Sequence, residues 1–215
     1  MGKAKVANIE IPALDLETLT IRLIGNTPLI VHRFADKARK QILDKQQGVA
    51  KKAGKDKREP QQDYVDGLYY FPADEPKNGT ARDPNKIPKR TGFPVTAFKN
   101  ACAEVAKEIP DLAATTVRKS FHIKAAEGSF DLVEIEGTPH MVEHTVKIGM
   151  GTTDLRFRPQ YDEWAVTLDI VKNGILTSAQ VVNLFEQSGF SVGVGEWRPQ
   201  RNGMNGQYSV QKTAR

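Results

Sequence analysis

The sequence predicts an α+β domain in which an antiparallel sheet carries two helices on one face. Three observations predict it. Apolar residues recur at alternate positions in several segments, most cleanly over 19–24 (LTIRLI) and 164–171 (WAVTLDIV), as half-buried strands require. Two other segments, around Phe98–Val105 and Val181–Phe185, repeat apolar residues at helical spacing. These helices lie between strands rather than in a block of their own, which interleaves the two element types.

The elements follow in order. Residues 19–24 form a first strand, Gly25-Asn26-Thr27-Pro28 kinks it, and Leu29-Ile30-Val31 continues it. Phe34, Ala38, Ile42 and Val49, spaced among Lys and Gln, predict a surface helix with a narrow apolar stripe. Residues 50–92 are rich in Lys, Gly, Pro, Asp and Asn, and they hold one short strand at Leu68-Tyr69-Tyr70-Phe71. An irregular stretch of that length in a compact domain is functional or disordered. Phe93-Pro94-Val95-Thr96 opens the first core helix, with Phe98, Ala101, Cys102, Val105 and Ala106 on one face and Ile109-Pro110 closing it. Cys102 falls on the apolar stripe, where it serves as a small core hydrophobe.

Strands are predicted over 117–125, 130–136 and 141–148, and a turn at 149–151 leads into a basic aromatic strand ending at Arg158-Pro159. Residues 164–171 form the next core strand and Asn173-Gly174 ends it. Thr177-Ser178 caps a second helix through Val181, Val182, Leu184 and Phe185, and a glycine-rich loop over 193–206 precedes a last strand at 207–210. The whole chain, 1–215, reads as a single domain with a basic insertion over 34–92 and a β-hairpin over 137–160 between the second and third core strands. Without those two additions the order is β-α-β-β-α-β, the split βαβ order of a ferredoxin-like or RRM-like sheet.

The charge is local. The chain carries +5 overall, whereas ten Lys and Arg against three Asp give the segment 33–58 a charge of +7, so the remaining residues sum to −2. A second basic group follows it along the chain, with Arg82, Lys86, Lys89 and Arg90 toward the end of the insertion and Lys99 just beyond it. A concentrated basic surface is what a phosphate-binding protein needs, although charge runs are also common as solvated faces. A single cysteine leaves no intramolecular disulfide, and no stretch has the length of a signal peptide or a membrane span, so a cytoplasmic setting with no membrane partner is expected.

Three landmarks lie on these elements: Asn26-Thr27-Pro28-Leu29 at the end of the first strand, Gly92-Phe93-Pro94-Val95-Thr96-Ala97-Phe98-Lys99-Asn100-Ala101 at the start of the first helix, and the glycine loop 193–206. Together they resemble the RAMP superfamily, in particular the repeated backbone subunit of CRISPR effector complexes. There an "sPL" follows the first strand, an "IPGSSLKGALR" opens the first helix, and a glycine-rich signature lies near the C-terminus. The chain departs from that pattern at Val95-Thr96-Ala97, where the family favours Gly-Ser-Ser, and at Trp197-Arg198-Pro199 within the loop. It is also similar to proteins encoded by tailed bacteriophages. The resemblance implies the ferredoxin-like fold, a nucleic-acid ligand and a thumb-like role for the hairpin over 137–160.

A single strand offers phosphates and unstacked bases, so its binder needs cations together with aromatic platforms or wedges. The candidate nucleic-acid-binding residues are Arg33, Lys37, Lys40, Lys89, Arg90, Lys99, Met150, Arg156, Phe157, Arg158, Trp197, Arg198 and Arg201. Arg156 and Arg158 straddle Phe157 and on a strand share the opposite face, which is expected to be the exposed one. Trp197 is read either as a stacking platform or as packing against the second helix. His140 and His144, four apart on a strand, stand about 13 Å from each other and cannot chelate one metal ion.

No phosphate-cradling lysine loop, H-E-x-x-H, nucleophile elbow or Cys/His ligand set occurs, so no catalysis, metal or cofactor is expected. The expected function is non-catalytic binding of single-stranded nucleic acid, DNA before RNA, with self-association into a ring or helical filament in phage recombination, annealing or replication. Two alternatives stay open: an inhibitory protein that mimics a CRISPR backbone subunit, and a metal-dependent nuclease using carboxylates such as Asp131, Glu134 and Asp154.

Overall fold

The structure is a computed structural model that describes residues 11–34, 36–49, 59–75, 82–148 and 151–211. Its elements are β1 (Leu16–Gly25), β2 (Leu29–Ile30), α1 (Asp36–Gln46), α2 (Pro60–Gly67), β3 (Tyr69–Tyr70), β4 (Thr91–Pro94), α3 (Val95–Val105), α4 (Ala114–Ser120), β5 (Phe121–Ile123), β6 (Leu132–Glu134), β7 (His140–Ile148), β8 (Thr152–Tyr161), β9 (Ala165–Asn173), α5 (Ser178–Ser191) and β10 (Tyr208–Val210). The fold is mixed α/β with antiparallel sheets.

The largest sheet has the order β10-β1-β9-β5, every neighbour antiparallel. Alternation decides its faces. Ile21 and Leu23 of β1 and Val166, Leu168 and Ile170 of β9 are buried. They share one core cluster with Phe98, Cys102 and Val105 of α3 and with Val181, Leu184 and Phe185 of α5. Ring contacts tie helices to sheet, Phe98 to Tyr208 at 5.8 Å and Phe121 to Phe185 at 5.7 Å between centroids. Thr177 begins α5 with a reciprocal cap: its hydroxyl accepts from the Gln180 N–H, and the Gln180 side chain accepts from the Thr177 N–H. Inside this layer the Cys102 thiol is fully enclosed and pushed up to about 12 by burial, so it stays protonated.

The opposite face of the sheet is polar. Thr20 donates to Asp169 at 2.6 Å, and Arg22 is paired with Glu136. The outward positions Thr18, Thr20, Arg22, Ile24, His122, Thr167, Asp169, Val171 and Ser209 include no Phe, Tyr or Trp. This face therefore lacks the stacking side chains that an RRM-type sheet presents to bases.

Several elements differ from the sequence-based expectation. Leu29 and Ile30 do not continue the first strand; they leave it and pair with β8 in a second sheet of order β2-β8-β7. The cause is the kink. Trp164 donates its indole N–H to the Thr27 carbonyl at 2.9 Å and lies over Gly25, where a Cβ would stand 2.1 Å from Nε1. Val117–Ser120, expected to be extended, is the end of α4. The insertion holds a helix, α2, that buries Tyr64 and Val65, and β3, β4 and β6 form a third sheet. Arg82 fastens that region down: it is buried, its guanidinium lies 3.9 Å over the Tyr70 ring, and it donates to both Glu75 oxygens at 2.9 Å. The basic stretch 50–58 lies outside the described residues.

Candidate nucleic-acid interface

β7 and β8 form one long hairpin with an unbroken register from His140↔Gln160 to Ile148↔Thr152. Its base is held by β2, which pairs Leu29 with Tyr161 and Ile30 with Gln160. Strand alternation places His144, Arg156 and Arg158 on one side and Glu143, Leu155 and Phe157 on the other.

The glycine loop closes over the first side. Its path is fixed by main-chain bonds: Val194 N–H to Gly206 O at 3.0 Å, Gly206 N–H to Pro28 O at 2.7 Å, and Glu196 N–H to Ile30 O at 3.0 Å. Gly206 adopts φ 68°, and a Cβ there would stand 1.8 Å from the Val194 carbonyl oxygen, so only glycine lets the two strands of the loop approach this closely. The Asn205 N–H to Trp197 O bond (3.0 Å) and the Gly203 N–H to Arg198 O bond (3.1 Å) fold the loop tip back on itself. The tip carries Trp197, 43% exposed, and Met204, 79% exposed.

Hairpin and loop meet around one carboxylate. Glu196 is ion-paired with Arg158, and its Oε1 lies 3.0 Å from Nδ1 of His32. A carboxylate only accepts, so the His32 Nδ1 carries the proton. Arg158 is 5% exposed; burial, with Arg156 nearby, pushes it down to about 10, and its Nε has no hydrogen-bond partner. His32 is held below the ordinary histidine value by burial and by the charges of Arg158 and Arg156. His144 is lowered in the same way, by burial and by Arg158.

Above this buried layer His144 meets Trp197 edge-on, with ring centroids 4.7 Å apart. An edge-on neighbour leaves the half-exposed indole with a face available for stacking. Arg156 stands opposite His144 in register and is 3.5 Å from Asp154. Arg198 is oriented by the Gly195 carbonyl at 3.1 Å and by Gln200, while Arg201 at the end of the short 3-10 turn is exposed. The result is an aromatic platform with the Arg156 guanidinium on the same side of the hairpin, chemistry suited to an unstacked base with its phosphate.

The structure thus brings Arg156 and Trp197 to His144, leaves Arg198 and Arg201 further along the loop with Arg198 turned to the Gly195 carbonyl and Gln200, and separates the rest of the candidate set. Arg158 is a correction: it was expected on an exposed arginine face and instead lies under the loop, because Glu196 neutralises it there. Phe157 is on the other side of the hairpin, half-buried. Arg33 is 3.4 Å from Glu75. Arg90 is bound to Glu134 at 2.8 Å and lies 4.3 Å over the Phe71 ring. Lys99 is beside His122 at 3.1 Å, on the helix that packs against β5. Lys89 is exposed ahead of β4, and Lys37 and Lys40 fall on α1. Met150 lies outside the described residues.

Sequence reasoning missed His32, His144, Glu196 and Met204 as members of this cluster. The available signals were slight: His144 shares strand parity with Arg156 only once the hairpin register is known, and Glu196 and Met204 are single residues of a loop without periodicity, Glu196 its one acid. The carboxylates of the nuclease alternative are not brought together. Glu134 pairs with Arg90 and Asp154 with Arg156, and among the described residues no group of three or more His, Cys, Asp or Glu is placed to hold a metal ion. No protein-family model matches the chain, and no curated protein matches it.

Proposed function

We propose that the chain is a non-catalytic single-stranded nucleic-acid-binding protein, DNA before RNA, with a ferredoxin-like core of the RAMP type, and that it self-associates on its ligand during phage recombination, annealing or replication. The core reading is supported by the strand order β10-β1-β9-β5, with α3 between β1 and β5 and α5 between β9 and β10 in the chain. One observation carries the binding reading: the Trp197–His144 platform with Arg156 on the same side of a long hairpin, in reach of a loop that also carries Arg198 and Arg201. The hairpin and loop take over the part that the polar outer face of the main sheet cannot play.

Fluorescence anisotropy with labelled single-stranded DNA and RNA tests this directly. Binding weakens as salt rises, and Arg156→Ala lowers the slope of log K against log salt by about 0.7, the value for one phosphate on a single strand. Trp197→Ala costs about 1–3 kcal/mol, the range for one stacked base. Failure of both oligonucleotides to bind at low salt would sink the proposal.

A further inference from the structure

Among the described residues β7 is the outer strand of the β2-β8-β7 sheet, and one of its edges pairs with none of them. The edge is long, nine residues, and its register with β8 runs without a bulge. No proline interrupts it. Native proteins shorten, bulge or cover strands that are not meant to pair, because a row of free N–H and C=O groups is a template for another strand. β7 shows neither bulge nor shortening.

The sequence of the edge is complementary to itself. Val142-Glu143-His144-Thr145-Val146-Lys147-Ile148, laid antiparallel on a second copy with Thr145 facing Thr145, sets Glu143 opposite Lys147 twice and Val142 opposite Ile148 twice. Those are the opposite-charge, apolar and Thr–Thr cross-strand pairs that stabilise antiparallel strands. Shifting the centre to His144 places Glu143 against Thr145 and Met141 against Lys147, which loses both charge pairs.

We propose that two copies of the chain pair through β7 about a two-fold axis at Thr145, joining two three-stranded sheets into one continuous sheet of order β2-β8-β7-β7-β8-β2. An axis perpendicular to the sheet keeps each side chain on its own side, so both Trp197–His144 platforms face the same way. The contact is isologous and closes as a dimer; a ring or filament then requires a second contact through another surface. The pairing rests on β7 alone and does not depend on nucleic-acid binding, though it supplies a surface for the self-association proposed above.

Sedimentation velocity of the full chain without nucleic acid, across micromolar to tens of micromolar concentration, is the test. The wild-type chain runs as a dimer. Glu143→Lys and Lys147→Glu each run as monomers, because each sets like charges opposite one another, and an equimolar mixture restores the dimer because the reversed charges match again. Thr145→Cys forms an intermolecular disulfide on mild oxidation, whereas Thr153→Cys on β8 does not; the native Cys102 is buried and does not interfere. A wild-type monomer at every concentration, or dimers that ignore both charge reversals, overturns the proposal. Anisotropy on the same samples separates the two readings: a dimer that binds no oligonucleotide keeps the pairing and removes the function, and a monomer that binds it does the reverse.

Discussion

Replacing Glu196 with Gln removes one charge and little else, which makes it the sharpest probe of the buried layer. Gln keeps the size of the side chain and an oxygen for the His32 Nδ1–H, 3.0 Å away, but leaves the Arg158 guanidinium without its counter-ion in a site where it is 5% exposed. Exposed ion pairs contribute about 0–1 kcal/mol, and breaking a fully buried one costs about 3–5 kcal/mol. Here one partner is buried and the other is 26% exposed at its side chain, so the cost falls between those limits. The expected value is about 2–3 kcal/mol. For a chain of this length that lowers Tm by roughly 5–10 °C in a thermal melt followed by circular dichroism. Arg158→Met combined with Glu196→Gln recovers most of the loss, because removing both charges leaves nothing uncompensated. A Glu196→Gln melt within about 1 °C of wild type, or a double variant as unstable as the two single losses added, refutes the account of Arg158 as a buried charge held by Glu196.

Two further outcomes follow from the same geometry. His32 and His144 are both held below the ordinary histidine value of 6.5 in the folded chain, so the unfolded chain takes up protons first as pH falls. Their contribution to stability is complete above about pH 7 and is lost progressively as pH falls below the unfolded value toward the lowered folded one. Tm therefore decreases from pH 7.5 toward 5.5, and His32→Gln with His144→Gln flattens that decrease; a Tm that rises on acidification would contradict it. In the folded chain, where Arg156, Arg158, Glu196 and Asp63 face them, the two histidines take up protons only below the ordinary value, so the added positive charge beside the platform tightens oligonucleotide binding at the acid end of that range. At the kink, Gly25→Ala drives a methyl group into the Trp164 ring and costs about 1–3 kcal/mol as overpacking, read as a lower urea midpoint; an unchanged midpoint would show that Trp164 yields freely.

How much of this was legible in the sequence differs from residue to residue. The strict alternation of residues 164–171 gave β9, and the spacing of Phe98, Cys102 and Val105 gave α3, because one buried face suffices to mark an element. α4 is short and ends at Ser120 directly before the apolar Phe121 of β5, so Val117 and Phe121 together resembled one strand. α2 shows only Tyr64 and Val65 as apolar signals inside a polar insertion, and the Arg82–Tyr70 stack that anchors its surroundings spans twelve positions in the chain. The burial of Arg158 was invisible for a different reason. Alternation told which side of β8 it takes, but its cover is Glu196, far along the chain in a loop with no periodicity, so neither residue alone reports the pair.

The hand-over of the chain from β1 to β2 has a mechanical consequence. The hairpin is held through its first half, where Leu29 and Ile30 pair with Tyr161 and Gln160 and the glycine loop covers Arg158 and meets His144. The strand beyond His144, to Ile148, is at about 3.3 Å per residue an arm roughly 13 Å long. A tilt of about 15° where it leaves the loop carries its end by about 3.4 Å, the rise between stacked bases. Where this arm points is thus governed less by its own residues than by the β2 pairing and the loop contacts at its root.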